Sequence, residues 1–274
     1  MSRFQILCTT MHQNDFSKIK EMNIHSDVVF ANQADTTSYS EMKFEGHRAR
    51  MITTGTKGVG VNRNIALMYA DSDICLFADD DMTYVDNLEE LVLGEFSAHP
   101  DADLIVFNVL SNPRHIRVQK RYYFSRKHHR WERMPWGAVR IAFRLSSVKK
   151  ANIWFTTLFG GGTIFASGED SIWLNDAKKK GLCFYTSKEV IGEVNFASST
   201  WYSGRDEKLF YARGAYIEAT HKKSALIWVL YYSLRFAKGS KVPLNERIRW
   251  MNKGRKGFKK LEPYQKNSEK TDEI

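Results

Sequence analysis

The 274-residue chain predicts an α/β fold: a mostly parallel central sheet flanked by helices, followed by a basic helical C-terminal extension. Three observations carry this. Short strand-like runs at Phe4–Thr9, Asp27–Asn32, Arg50–Thr53, Ile74–Ala78 and Asp103–Asn108 are separated in several places by helical patterns, the arrangement of strands joined by crossover helices. A hydrophobic content of 43% is ample for a substantial core. The charge is uneven: from residue 221 onward 14 Lys+Arg stand against 5 Asp+Glu, while the whole chain carries +10, so the first 220 residues are nearly neutral. The expected division is an α/β body over 1–220 and a basic, partly apolar extension over 221–274.

Taken in order, the first strand ends at Thr9-Thr10 and the second leads into a loop containing Asp35. Ligands of such sheets bind at the carboxyl ends of strands, so these two places and the end of the Ile74 strand should meet at one crevice. Between them, Gly55-Thr56-Lys57-Gly58-Val59-Gly60-Val61-Asn62-Arg63-Asn64 turns into a helix over Ile65–Ala70. Such a turn either makes an anion site, with Arg63 reaching a phosphate from the first helical turn, or simply starts a helix.

The strand Ile74-Cys75-Leu76-Phe77-Ala78 ends in Asp79-Asp80-Asp81. Three adjacent carboxylates in a partly desolvated place repel one another and take up protons unless a cation sits among them. On an extended backbone Asp79 and Asp81 share a side and Asp80 faces the other, so Asp79/Asp81 reads as a D-x-D clamp for Mg or Mn. Helix capping is the competing duty. It falls instead to Asp86-Asn87-Leu88-Glu89, a capping box for the helix through Leu91, Val92, Glu95 and Phe96.

Arg114–Arg133 carries eight Lys/Arg and one Glu among aromatic residues. A solvated loop, a nucleic-acid patch and an acceptor-binding segment all fit that composition. Phe159-Gly160-Gly161-Gly162-Thr163 precedes Ser167-Gly168-Glu169-Asp170, and Ser171–Lys180 reads as a helix stopped by Gly181. Glu169 and Asp170 either complement the helix dipole or supply a base to the crevice.

Ser224–Phe236 is too short to span a bilayer, which takes roughly 18 apolar residues or more, yet it is very apolar and aromatic for an exposed helix. With the bases that follow, it reads as an interfacial helix on an anionic membrane surface, or as a core or dimer helix with a solvated basic tail. Lys266–Ile274 reads as frayed. Cys8, Cys75 and Cys183 have no paired spacing, which fits a reducing cytoplasm without disulfides or zinc. The N-terminus lacks the pattern of a cleaved signal.

Together, Gly58-Val59-Gly60-Val61-Asn62-Arg63-Asn64-Ile65-Ala66, Phe77-Ala78-Asp79-Asp80-Asp81 and Gly168-Glu169-Asp170 resemble, in order and spacing, the glycine-plus-Arg-Asn, D-x-D and Glu-Asp motifs of bacterial GT-A glycosyltransferases of family 2. The resemblance covers most of residues 1 to about 195. It implies a GT-A fold, a nucleotide-diphospho-sugar donor, a divalent metal and transfer to a hydroxyl of a glycan or lipid-linked glycan in capsule, exopolysaccharide or other surface-glycan synthesis. It places Thr9 and Asp35 near the base and ribose, Arg63, Asp79 and Asp80 at the donor, Asp79 and Asp81 at the metal, and Asp170 as the base.

There are departures from the family pattern. Its Asp-Asp-Gly-Ser run is here Ala31-Asn32-Gln33-Ala34-Asp35-Thr36-Thr37, with one acid, and Glu246-Arg247-Ile248-Arg249-Trp250 resembles the Gln-x-x-Arg-Trp motif of processive synthases only by coincidence. The rival readings are a nucleotidyltransferase, which would want further metal-binding acids and no separate base, and a nucleic-acid-binding protein, whose affinity would fall steeply with salt.

Overall fold

The computed structural model describes residues 2–111, 122–129, 137–195, 206–237 and 239–265. In chain order these form β1 (Phe4–Met11), α1 (Lys18–Glu21), β2 (Asp27–Gln33), β3 (Ser38–Phe44), β4 (His47–Thr54), α2 (Val59–Met68), β5 (Ile74–Asp79), β6 (Met82–Tyr84) and α3 (Leu88–Ala98). There follow β7 (Leu104–Ser111), β8 (Arg126–Lys127), β9 (Ile141–Arg144), α4 (Leu145–Ala151), α5 (Glu169–Lys179), β10 (Phe184–Val194), α6 (Glu207–His221), α7 (Ala225–Arg235) and α8 (Leu244–Lys260).

The strands form one mixed sheet in the order β3-β4-β2-β1-β5-β9-β7-β10-β6, with β8 on β10. β4, β2, β1 and β5 pair in parallel, as do β7 and β10, and antiparallel β9 joins the two sets so that all six run the same way. All five expected strands are present. Of those not anticipated, β6, β8 and β9 are short, β10 mixes apolar and polar residues, and β3 is an exposed edge strand joined to β4 by the two-residue turn Glu45-Gly46, both at positive φ as a type I′ hairpin requires.

Burial on both faces explains the long apolar runs of the central strands. Ile6, Cys8, Phe30, Leu76 and Phe107 belong to one core, while Leu7, Val29, Cys75, Phe77 and Phe143 belong to the other with Ala66 and Leu67 of α2 and Trp173, Leu174 and Ala177 of α5. Phe77 is the hub of the second core, its ring 4.6 Å from that of Phe143 and 5.4 Å from the indole of Trp173. The expected capping box is absent: α3 follows Asn87 with no side-chain cap, and Asp86 instead accepts a hydrogen bond from Asn23 Nδ2.

The described residues of Met1–Thr157 and Asp170–Thr200 form one compact unit, those of Leu158–Glu169 and Trp201–Ile274 a second. The expected division at 220 thus lies within the second unit, which includes all of α6. The reason is backbone packing. Gly214 of α6 lies against the Met251 carbonyl and Gly254 of α8 against the Tyr211 carbonyl, so closely that a Cβ at either position would overlap the oxygen. Buried Glu218 accepts from Arg255 at 3.0 Å and pairs with Lys259 at 3.3 Å, adding charge complementarity to the same helix pair.

Gly254→Ala is expected to lower stability by about 1–3 kcal/mol through overpacking. Gly94→Ala, on the exposed face of α3 with open space around it, should raise stability by about 0.4–1 kcal/mol. Urea unfolding of the two variants beside the parent chain measures both; a neutral Gly254→Ala would contradict the close helix contact.

Candidate active site

Strand alternation builds the centre of the site. Along β5, Cys75 and Phe77 point into the core shared with α2 and α5, so Asp79, two residues on, emerges on the same face at the strand's carboxyl end. Arg63 occupies the buried stripe of α2 with Ala66 and Leu67, and Asp170 precedes Trp173, Leu174 and Ala177 on the buried stripe of α5. Those three side chains meet.

Arg63 is wholly buried and bridges the two acids. Its Nη2 donates to Asp79 Oδ1 at 3.0 Å and Oδ2 at 3.2 Å, and its Nη1 to Asp170 Oδ1 at 2.5 Å. The Phe155 ring lies under the guanidinium, 5.2 Å from ring centroid to Cζ. Thr9 Oγ1 donates to Asp79 Oδ1 at 2.9 Å, and the Ala138 N–H to Asp170 Oδ2 at 3.0 Å. Arg63 was expected in the first helical turn, facing a phosphate; α2 begins at Val59, which puts Arg63 in the second turn and its charge on two carboxylates. Close seating of α2 helps: a Cβ on Gly60 would overlap the Thr156 carbonyl.

Asp79 is the last residue of β5, and Asp80-Asp81 form a turn into β6, so strict strand alternation stops at Asp79. Asp80 Oδ2 accepts from Thr10 Oγ1 at 2.5 Å, and Lys18 Nζ approaches the Asp80 carbonyl at 3.4 Å. The Asp81 carbonyl accepts from the Asn195 N–H at 2.8 Å. Burial, together with Asp79 and Asp80 close by, pushes the Asp81 carboxyl up to about 7. Burial likewise raises Asp170, with Arg63 pulling the other way. Asp35 is exposed in the loop after β2, at the same end of the sheet as the acids.

A divalent cation fits one part of this arrangement. Asp81 is a hard oxygen ligand whose carboxyl is raised first by burial and then by the neighbouring Asp79 and Asp80, whereas both Asp79 oxygens already accept hydrogen bonds. Among the described residues no group of three or more His, Cys, Asp or Glu side chains is placed to hold a metal. One or two carboxylates would be the protein's share of a Mg-type or Mn-type site, the kind completed by phosphate oxygens and water.

Several contributors are invisible in sequence motifs. The Ala138 N–H comes from a 3-10 turn, Ala138–Arg140, with no motif of its own, and Thr10 is an ordinary strand residue until it is paired with Asp80. Arg140 is also buried, touching the Val109 carbonyl at 3.4 Å, and burial lowers its pKa. Of Arg114–Arg133, only 122–129 lie among the described residues, where Arg126 and Lys127 form β8 against β10. Cys8, Cys75 and Cys183 are free thiols.

Residues 28–159 match the model of glycosyl transferase family 2, a span that contains Asp35, Arg63 and Asp79–Asp81 but not Thr9 or Asp170. No curated protein sequence matches the chain. Among solved structures, a 1–349 fragment of S. aureus TarS is 12% identical with a TM-score of 0.56, the match covering 96% of this chain and 93% of that one. The same fragment in complex with UDP is 13% identical with a TM-score of 0.59, again covering 96% and 93%. With UDP-GlcNAc the values are 11% and 0.56, at the same coverage. Against a longer TarS chain the match covers 87% of this chain and 44% of that one. At such identities the likeness shows the fold, which is GT-A.

Arg63→Met would leave two buried carboxylates facing each other and is expected to cost about 3–5 kcal/mol, the usual effect of removing one partner from a buried ion pair. Denaturant unfolding checks this. A variant as stable as the parent chain would show that the bridge does not hold the two acids together.

Proposed function

We propose that this chain is a metal-dependent inverting glycosyltransferase. It moves a hexosyl or N-acetylhexosaminyl group from a nucleoside-diphosphate sugar to a hydroxyl of a glycan or lipid-linked glycan in bacterial surface-polysaccharide synthesis. The observation that carries the reading is the pairing of Asp79 and Asp170 through Arg63, at the carboxyl ends of parallel strands, in a chain with a GT-A fold. The family match over residues 28–159 supports sugar transfer, and the UDP and UDP-GlcNAc complexes of TarS favour a UDP-sugar as the donor.

In this reading Asp170 is the general base. A buried carboxylate of raised pKa is a better proton acceptor near neutrality than an exposed one. Each of its oxygens retains a lone pair beyond the bonds from Arg63 and Ala138, so it can accept the acceptor hydroxyl proton without losing its position. The acceptor oxygen forms its bond to the anomeric carbon as the bond to the diphosphate oxygen breaks, the electron pair leaving with the nucleoside diphosphate. One displacement inverts the configuration. Asp81, with Asp79 beside it, would hold a Mn or Mg ion, which supplies positive charge to the leaving diphosphate. Thr9, Asp35 and Asp80 line the approach to the nucleotide, and Arg63 acts on the donor side by fixing Asp79.

The nucleotidyltransferase alternative lacks the additional metal-binding acids it would want, judged among the described residues, and does not account for the buried Asp170.

Calorimetric titration of UDP, GDP, CDP and TDP, with Mn and with EDTA, tests the donor site. Tight binding of one diphosphate only with metal is expected, and no binding of any would overturn the proposal. Asp81→Ala should remove the metal-dependent part of that binding. Asp170→Asn should lower kcat by about 10²–10⁴-fold while nucleotide affinity is largely kept; near-normal turnover would show that another group takes the proton.

A further inference from the structure

Helix α7 is apolar on both of its sides. Ala225, Val229, Tyr232 and Ser233 are buried, and Ser233 is tied into the second unit, its carbonyl accepting from Arg247 and its Oγ lying 3.8 Å from Met251 Sδ. Leu226, Ile227, Leu230, Tyr231 and Leu234 form the opposite side, with exposures of 73%, 71%, 51%, 39% and 55%. At 3.6 residues per turn these five positions fall within an arc of about 140°. An ordinary surface helix presents charged or polar residues there. A contiguous stripe of four aliphatic side chains and a tyrosine facing water marks a surface that meets something apolar.

The charges around the stripe indicate what it meets. From Lys222 to Lys241 the chain carries Lys222, Lys223, Arg235, Lys238 and Lys241 and no Asp or Glu. Lys222 and Lys223 are exposed beside the N-terminal end of α7, and Arg235 and Lys241 are exposed at and beyond its C-terminal end. A second copy of the chain would be a poor occupant, because two-fold pairing of antiparallel α7 helices brings basic ends against basic ends. An anionic lipid surface satisfies both features, since it receives the apolar stripe between its headgroups and the flanking bases at its phosphates. Eleven residues cannot cross a bilayer, and among the described residues no helix is long and apolar enough to do so.

We propose that α7 is a membrane-docking helix. It lies in the plane of an anionic phospholipid surface, with Leu226, Ile227, Leu230 and Leu234 inserted and Lys222, Lys223, Arg235 and Lys241 on the headgroups. The proposal is independent of the sugar-transfer reading, because none of these residues belongs to the candidate active site.

The test is sedimentation of the full chain with vesicles of phosphatidylcholine alone and of phosphatidylcholine with phosphatidylglycerol, at low and high salt, beside analytical ultracentrifugation without lipid. The expected result is a monomer that binds the phosphatidylglycerol vesicles at least tenfold more tightly and loses that preference at high salt. A combined Leu226→Ser, Leu230→Ser, Leu234→Ser variant should bind the same vesicles at least tenfold more weakly. Because all three side chains already face solvent, its unfolding midpoint should match the parent, which separates lost docking from lost folding. A combined Lys222→Glu, Lys223→Glu, Lys241→Glu variant should abolish the anionic preference. Failure to bind anionic vesicles would overturn the proposal. So would full binding by the serine variant, or a dimer that the serine variant dissociates.

Discussion

The buried guanidinium of Arg63 between Asp79 and Asp170 is the contact on which the candidate site depends. Taking such ions out of water costs several kcal/mol each, and is offset only when the partners are close and the remaining hydrogen-bonding capacity is used. Here the Asp79 and Asp170 carboxylates bracket Arg63, while Thr9 and the Ala138 N–H take up further acceptor capacity of the two acids. One side chain therefore ties together α2, the ends of β1 and β5, the start of α5 and the turn that enters β9. It also divides the negative charge. Asp79 and Asp170 share the arginine, while burial, with Asp79 and Asp80 close by, raises the Asp81 carboxyl to about 7.

The sheet decides which acids share that arginine. Asp79 is the last β5 residue still in register with β1, opposite Thr9, and on the Phe77 side of the sheet. One residue later the chain turns, and Asp80 meets Thr10. Antiparallel β9 enters from the end of the sheet where β5 leaves. The turn preceding it can therefore offer a backbone N–H to Asp170, which a wholly parallel sheet would not place there.

In the second unit the excess of basic residues serves two purposes. Arg255 and, from the surface, Lys259 neutralise Glu218, whose carboxylate would otherwise be buried without a counter-charge between tightly packed helices. Lys222, Lys223 and Lys241 face solvent around the apolar stripe of α7. Composition alone cannot separate these roles, because it counts a base paired with a buried acid and a base facing outward alike.

Fold class, the central strands and the three acidic or glycine-bearing motifs were readable from the chain, because apolar alternation and turn residues are local properties that survive without knowledge of partners. The polar strand β3 before the type I′ turn Glu45-Gly46 was not readable, because exposure on both faces removes the alternation that marks a strand. What the chain could not disclose was pairing over distance. Arg63 and Asp170 are 107 residues apart, and only the packing of α2 and α5 on one face of the sheet makes them neighbours. The role of Ala138 depends on a backbone N–H, which carries no side-chain signature, and the exposure of Leu226 and Leu230 depends on which side of α7 the other helices cover. The sequence by itself determined an α/β sheet with acids at its strand ends and a basic, apolar C-terminal segment. Tertiary structure alone decided which acids hold the arginine, which acid burial pushes toward protonation and which apolar face meets water, because burial and charge pairing belong to residues brought together by folding.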